Sequence, residues 1–185
     1  MAGPPLSVRV CRPEPTVGFG RLDVRLPGYP AAVEAARAHG FAPEVREPGG
    51  HAAAYHRGSL LVEVTGRGGI EGVRRRFEHV SAWIVGALRG LGVDARVGEV
   101  PGEYCAGRWS VNLGGRVKLA GLAQRVARGG WTVGAAIVCE DVEPVRAVLV
   151  DVYAALGLPF DPATVGVPGP PLEVVERAIR TYRPG

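Results

Sequence analysis

Lysine is almost absent from this chain: of its 22 lysine and arginine residues, only Lys118 is lysine. Methionine occurs only at position 1, whereas there are 28 glycines and 16 prolines. That bias is the pattern of a GC-rich coding sequence, which replaces lysine codons with arginine codons. It leaves one question open, why an ammonium persists in "EYCAGRWSVNLGGRVKLAGLAQR", residues 103–125.

Other scarcities exclude function classes. The three cysteines, Cys11, Cys105 and Cys139, are odd in number and far apart, which argues against a disulfide framework and fits a reducing compartment. Histidines 39, 51, 56 and 79 have no metal-ligand spacing with one another or with the cysteines, so no metal site is expected. No apolar run approaches the about 18 residues of a membrane helix, and "MAGPPLSVRV" has neither the apolar stretch nor the cleavage site of a signal peptide. The expectation is a cytoplasmic protein with no membrane partner. P-loop, G-x-G-x-x-G and G-x-S-x-G signatures are missing. The net charge of +4 comes from scattered arginines, densest at Arg74, Arg75 and Arg76. Without a nucleic-acid-binding motif, that run reads as a solvated helix face, or as a surface suited to an acidic protein.

What is present is an ordinary globular composition, 46% hydrophobic and 22% charged, long enough for one core and one domain over residues 1–185. Strand and helix periodicities alternate, which predicts an α/β (α+β) fold. "PPLSVRVC", "PTVGFGRL", "FAPEVRE" and "LLVEV" read as strands, and "YPAAVEAARAHG" as a helix closed by Gly40. Val73, Phe77, Val80, Ile84, Leu88 and Leu91 recur at helical spacing and predict a long amphipathic helix over 71–91. Four strands follow, "DARVGEV", "RWSVNLGG", "RVKLAGLAQRVARGG" and "WTVGAAIVCE", with hairpin turns at Gly114-Gly115 and Gly129-Gly130. "VEPVRAVLVDVYAALG" is a helix, and a Pro/Gly-rich connector, 157–171, leads to a last helix within 171–183.

Two of the cysteines differ in setting. Cys139 ends the apolar run "GAAIVC" and reads as a small buried hydrophobe. Cys105 lies in a Gly-rich polar loop, where backbone N–H groups and Arg108 could stabilise a thiolate; local context leaves a reactive and an inert cysteine equally open. His51 and His56 flank "AAAY" and would point to opposite faces of a strand.

The stretch "YCAGRWSVNLGGRVKLAGLAQRVARGGWTVGAAIVC" closely resembles the centre of the lipoate–protein ligase and octanoyltransferase superfamily, where a G-x-K-hydrophobic-small-G-x-A/S-Q-R strand carries the acyl-site lysine. Lys118 falls on that lysine, with Gly121, Ala123, Gln124 and Arg125 on the positions that follow. "PTVGFGR … FAPEVREPGGHAAAYHRGSLLVEV" resembles the same family's R-x-x-G-G region, which places Arg46, Gly49, Gly50 and the adjoining His51 at the acyl group. The resemblance spans roughly residues 8–165 and implies a mixed, largely antiparallel sheet flanked by helices, shared with biotin ligases. Cys105, in a C-x-G-x-aromatic setting upstream of the lysine, resembles the nucleophile of the cysteine-dependent acyl-transferring branch.

That resemblance implies octanoyl or lipoyl transfer through a Cys105 thioester, with Lys118 holding the acyl carbonyl and no cofactor needed. The implied partners are the glycine-cleavage H protein, the lipoyl domains of oxoacid dehydrogenase E2 and acyl carrier protein. An ATP- and Mg-dependent ligase, or a non-catalytic acyl-binding subunit of a split ligase, are the alternatives. The family's "ALDE"-like N-terminal run is not found, so the expectation is either a missing tunnel wall or a truncated start, and no C-terminal accessory domain is expected.

Overall fold

The computed structural model describes residues 7–182; Pro4–Leu6 of the first predicted strand and residue 183 of the last predicted helix lie outside the described residues. Along the chain run β1 (Ser7–Cys11), β2 (Thr16–Phe19), α1 (Tyr29–Ala38), β3 (Ala42–Val45), β4 (Ala53–Tyr55), β5 (Ser59–Gly66) and α2 (Val73–Arg89). Then follow β6 (Ala95–Val97), β7 (Val111–Leu113), β8 (Val117–Ala127), β9 (Gly130–Val138), α3 (Val142–Leu156) and α4 (Leu172–Thr181). A six-stranded sheet, ordered β1-β5-β9-β8-β7-β6, is antiparallel throughout.

The α+β class and the antiparallel sheet agree with the sequence, but a second sheet was not foreseen. β4 joins β2 antiparallel while β3 joins it parallel, in the order β3-β2-β4. Three residues are too few for an alternation to register as a strand. The strands expected over 94–100 and 108–115 also shrink to three residues each. Gly98 (φ +151) and Gly102 (φ +83) carry the chain out of the sheet between them, into the loop that holds Cys105. Gly114 (φ +58), Gly115 (φ +76) and Gly129 (φ +85) form the two expected hairpin turns.

Two cores follow from the strand alternation. Leu60, Val62 and Val64 of β5 and Val133, Ala135 and Ile137 of β9 pack with Val80, Ile84 and Leu88 of α2 and Leu172, Val175 and Ile179 of α4. Each such valine, leucine or isoleucine, fully buried, contributes on the order of 1.5–3 kcal/mol. On the other side, α1 and α3 cover Val17, Phe19, Ala54 and Val138 through Ala32, Ala36, Val145, Leu149 and Val152. The connector before α4 is packed rather than loose. Gly166 N–H donates to the Lys118 carbonyl (3.1 Å), and the Phe160 ring lies 5.1 Å from Tyr153 and 6.4 Å from Tyr104. Among the described residues no helix is long and apolar enough to cross a membrane.

Candidate active site

The side chains of β5, β9 and β8 that do not enter the α2/α4 core face a cavity of about 390 Å³. Register aligns them in rows. Gly121 pairs with Ala136 and Ala136 with Leu61, Ala123 with Gly134 and Gly134 with Glu63, and Arg125 with Thr132. Glycine and alanine therefore occupy the first two rows on β8 and β9, and the floor runs about 13 Å from Gly121 to Arg125 at strand spacing. Arg46, Glu47, Pro48, Ala53 and Tyr55 form one wall, and Tyr104, Cys105 and Lys118 close one end. An ion pair between Arg125 and Glu47 (2.5 Å) joins the floor to that wall.

At the closed end the backbone of Cys105 is left-handed, φ +43, unusual for a residue other than glycine. Three contacts hold it there. Its N–H donates to the Tyr153 hydroxyl (2.6 Å), which donates onward to the Ala52 carbonyl (2.9 Å). Its carbonyl accepts from Lys118 Nζ (2.9 Å), and its Sγ accepts from Arg46 Nη2 (3.1 Å). Arg46 is itself aimed by donating to the carbonyls of Gly18 (3.2 Å) and His51 (2.5 Å). Gly50 lets the loop approach, because a Cβ there would sit 2.7 Å from the sulfur.

Lys118 is 1% exposed. Its Nζ also donates to the Tyr104 carbonyl (2.8 Å), lies 3.5 Å from Glu103 Oε1 and sits 4.5 Å above the Tyr104 ring. Burial pulls the ammonium below the usual lysine range, opposed by the negative charges of Glu103 and Cys105. Burial pushes the Tyr104 and Tyr153 phenols up, so both stay protonated. Gly121 leaves room for this lysine: a Cβ there would meet its Cε at 3.2 Å.

Of the residues expected at the site, Cys105, Lys118, Arg46, Gly50, Gly121 and Ala123 converge. Gln124 does not: strand alternation turns it toward α2, where its amide donates to the Val73 carbonyl (3.1 Å) and accepts from Arg76. Its neighbour Arg125 reaches the cavity instead. Nothing lies within 4 Å of a Cβ placed on Gly49. His51 contributes its carbonyl, while its ring pairs with the buried Asp23 (2.7 Å), which also accepts from Gly20 N–H. His56 lies apart, bonded to Gly58 N–H and the Asp141 carbonyl. Sequence reasoning missed Asp23, Glu103 and Tyr153. For Tyr153, the one signal was a phenol within the apolar helix "VLVDVYAAL", a hydroxyl that burial obliges to find a partner. Among the described residues no group of three His, Cys, Asp or Glu side chains could hold a metal ion.

This fold and site have known relatives. An octanoyl-[GcvH]:protein N-octanoyltransferase from Exiguobacterium sibiricum is 36% identical over 144 residues, covering 76% of this chain and 52% of that protein. One of the same name from Geobacillus kaustophilus is 30% identical over 152 residues, covering 81% and 53%. The chain thus spans about half the length of the curated relatives it matches. A bi-partite lipoate protein ligase from Thermoplasma acidophilum, from an archaeal lipoylation system that includes its E2 lipoyl domain, has the same fold, with a TM-score of 0.65 at 21% identity over 95% of this chain and 68% of that one. Residues 4–155 match the profile of the lipoyl protein ligase A/B catalytic domain, and it is to that family that the chain belongs.

Proposed function

We propose that this chain carries an octanoyltransferase site that moves an acyl group from a carrier to the lysine of a lipoyl domain through a thioester on Cys105. The observation that carries this reading is the Cys105 sulfur, at the closed end of a cavity whose near floor is glycine and alanine, with the Arg46 guanidinium 3.1 Å away. In the first half-reaction the sulfur attacks the acyl carbonyl of the donor, an S–C bond forms, the bond between the acyl carbon and the carrier breaks, and the carrier leaves with the thiol proton. In the second, the acceptor amine attacks the thioester, a C–N bond forms and the Cys105 thiol is regenerated. The acyl chain lies along the Gly121–Ala136 and Ala123–Gly134 rows.

Arg46 is placed to balance negative charge on the sulfur. Lys118 donates to the developing oxyanion by exchanging its longest contact, the 3.5 Å one to Glu103. The names of the octanoyltransferase relatives point to a GcvH-type protein as donor. No nucleotide takes part in either step, which separates this reading from an ATP- and Mg-dependent ligase.

Intact mass after incubation with octanoylated H protein, without ATP, tests it. The wild-type protein is expected to gain an octanoyl group and to pass it to an added lipoyl domain, and Cys105→Ala to do neither. An adduct that forms only with ATP, or one that persists in Cys105→Ala, overturns the reading.

A further inference from the structure

Glu103, two residues before Cys105, enters the half-reactions above only as the contact that Lys118 gives up, yet it is 4% exposed, with its side chain fully buried. One oxygen collects every contact. Oε1 accepts from Gly107 N–H (3.0 Å) and Ser110 Oγ–H (2.7 Å) and faces Lys118 Nζ at 3.5 Å. Oε2 is buried without a hydrogen-bond partner. A carboxylate needed only to brace a loop would be served as well by a neutral amide, which spares the cost of burying a charge. Leaving an oxygen of a buried charge unpartnered costs free energy as well. The charge has a counterpart in one place, the ammonium of the chain's single lysine.

We propose that Glu103 is the positioning residue of this site: its carboxylate closes the 103–110 loop around Cys105 and supplies the counter-charge that keeps Lys118 an ammonium aimed at the Tyr104 and Cys105 carbonyls. The inference rests on the acyl-transfer reading for its effect on rate, but not for its effect on Lys118. The groups facing Nζ are Glu103, Tyr104 and Cys105 from the cysteine loop and Arg46 from across the cavity; the segment beside it contributes the backbone of Val165 and Gly166. Glu103 and Cys105 favour the charged form, while Arg46 and burial oppose it. Of the charges around it, Glu103 is the main one that opposes burial, and it is the one in ion-pair contact with the ammonium.

Because the chain has one lysine, labelling with 13C,15N-lysine yields a single side-chain amine signal, assigned without ambiguity. In the whole protein that signal is titrated for wild type and Glu103→Gln, with thermal melts and octanoyl transfer measured on the same samples across pH. The Gln variant keeps an acceptor for Gly107 and Ser110 and loses only the charge. Its lysine midpoint is expected to fall by on the order of one pH unit. The alkaline limb of its transfer profile should move down with it, and the rate should fall by up to about a hundredfold as Lys118 loses its aim. An unchanged midpoint in a folded Gln variant overturns the proposal. Should that variant not fold, the wild-type signal decides: a neutral amine at neutral pH overturns the proposal, and an ammonium supports it. A shifted midpoint in a protein that transfers no acyl group would sink the transferase reading and leave the role of Glu103 standing.

Discussion

Gly50→Ala is the sharpest test of how the Cys105 sulfur is held. Gly50 has φ +96, a region that costs a residue with a Cβ about 1–2 kcal/mol. The new methyl carbon would stand 2.7 Å from Cys105 Sγ and 3.1 Å from Arg46 Nη2, against ordinary contacts of about 3.5–4.0 Å. Relief requires the sulfur to retreat by roughly 1 Å, which breaks its hydrogen bond from Arg46; a misplacement of that size costs about a hundredfold in rate. The melting temperature should drop only by roughly 2–8 °C, the shift that 1–2 kcal/mol produces in a domain of this size. The assay is octanoyl transfer to a purified lipoyl domain, followed by mass spectrometry, with thermal melts. Gly49→Ala is the control, since nothing lies within 4 Å of its Cβ and its backbone is not left-handed. Wild-type transfer by Gly50→Ala, or equal damage from Gly49→Ala, would refute the reasoning.

Lys118→Arg should destabilise as well as inactivate, by about 1–3 kcal/mol, since a larger planar group must fit beside Gly121 in a site that is 1% exposed; a melt equal to wild type would contradict this. Because burial lowers the folded-state pKa of Lys118, the unfolded chain binds the extra proton between that lowered value and 10.5. Stability relative to Lys118→Met should therefore rise with pH through that window, and a flat difference in melts counts against it. Burial pushes the Cys139 thiol up to about 12, so iodoacetamide at neutral pH should label Cys105 and spare Cys139, and Cys139→Ala should lose about 1–2 kcal/mol at most with transfer intact. Gln124→Ala should lose about 1 kcal/mol of stability, seen in melts, and keep near-wild-type transfer, because its bonds run to α2 rather than to the cavity.

The long elements and the positions of Cys105 and Lys118 at the cavity were legible because each leaves a local trace. The α2 stripe recurs at helical spacing, the paired glycines mark the hairpins, and Cys105 and Lys118 sit in a motif. What could not be read depends on which elements meet. Nothing adjacent to Glu103 in the chain signals that it will be buried under a lysine on another element. Asp23 and His51 pair across 28 positions. The motif made Gln124 and Arg125 equivalent, whereas a strand sends neighbours to opposite faces, and only knowledge of which face covers the cavity separates them. The lone lysine was expected to touch an acyl carbonyl; in the protein its ammonium donates to the backbone carbonyls of Tyr104 and Cys105, contacts invisible without the turn that brings those residues beside it.

The packed connector changes what counts as the working unit. The family match ends at residue 155, but Phe160 lies against both tyrosines of the site, and Asp161 N–H donates to the Gly102 carbonyl (2.9 Å) just ahead of the cysteine loop. Local opening of residues 158–167 would therefore unlatch the Tyr153 hydroxyl from Cys105 and uncover Lys118 in one event, so the reactivity of the thiol and the hydrogen-exchange protection of a segment beyond the family match should rise and fall together.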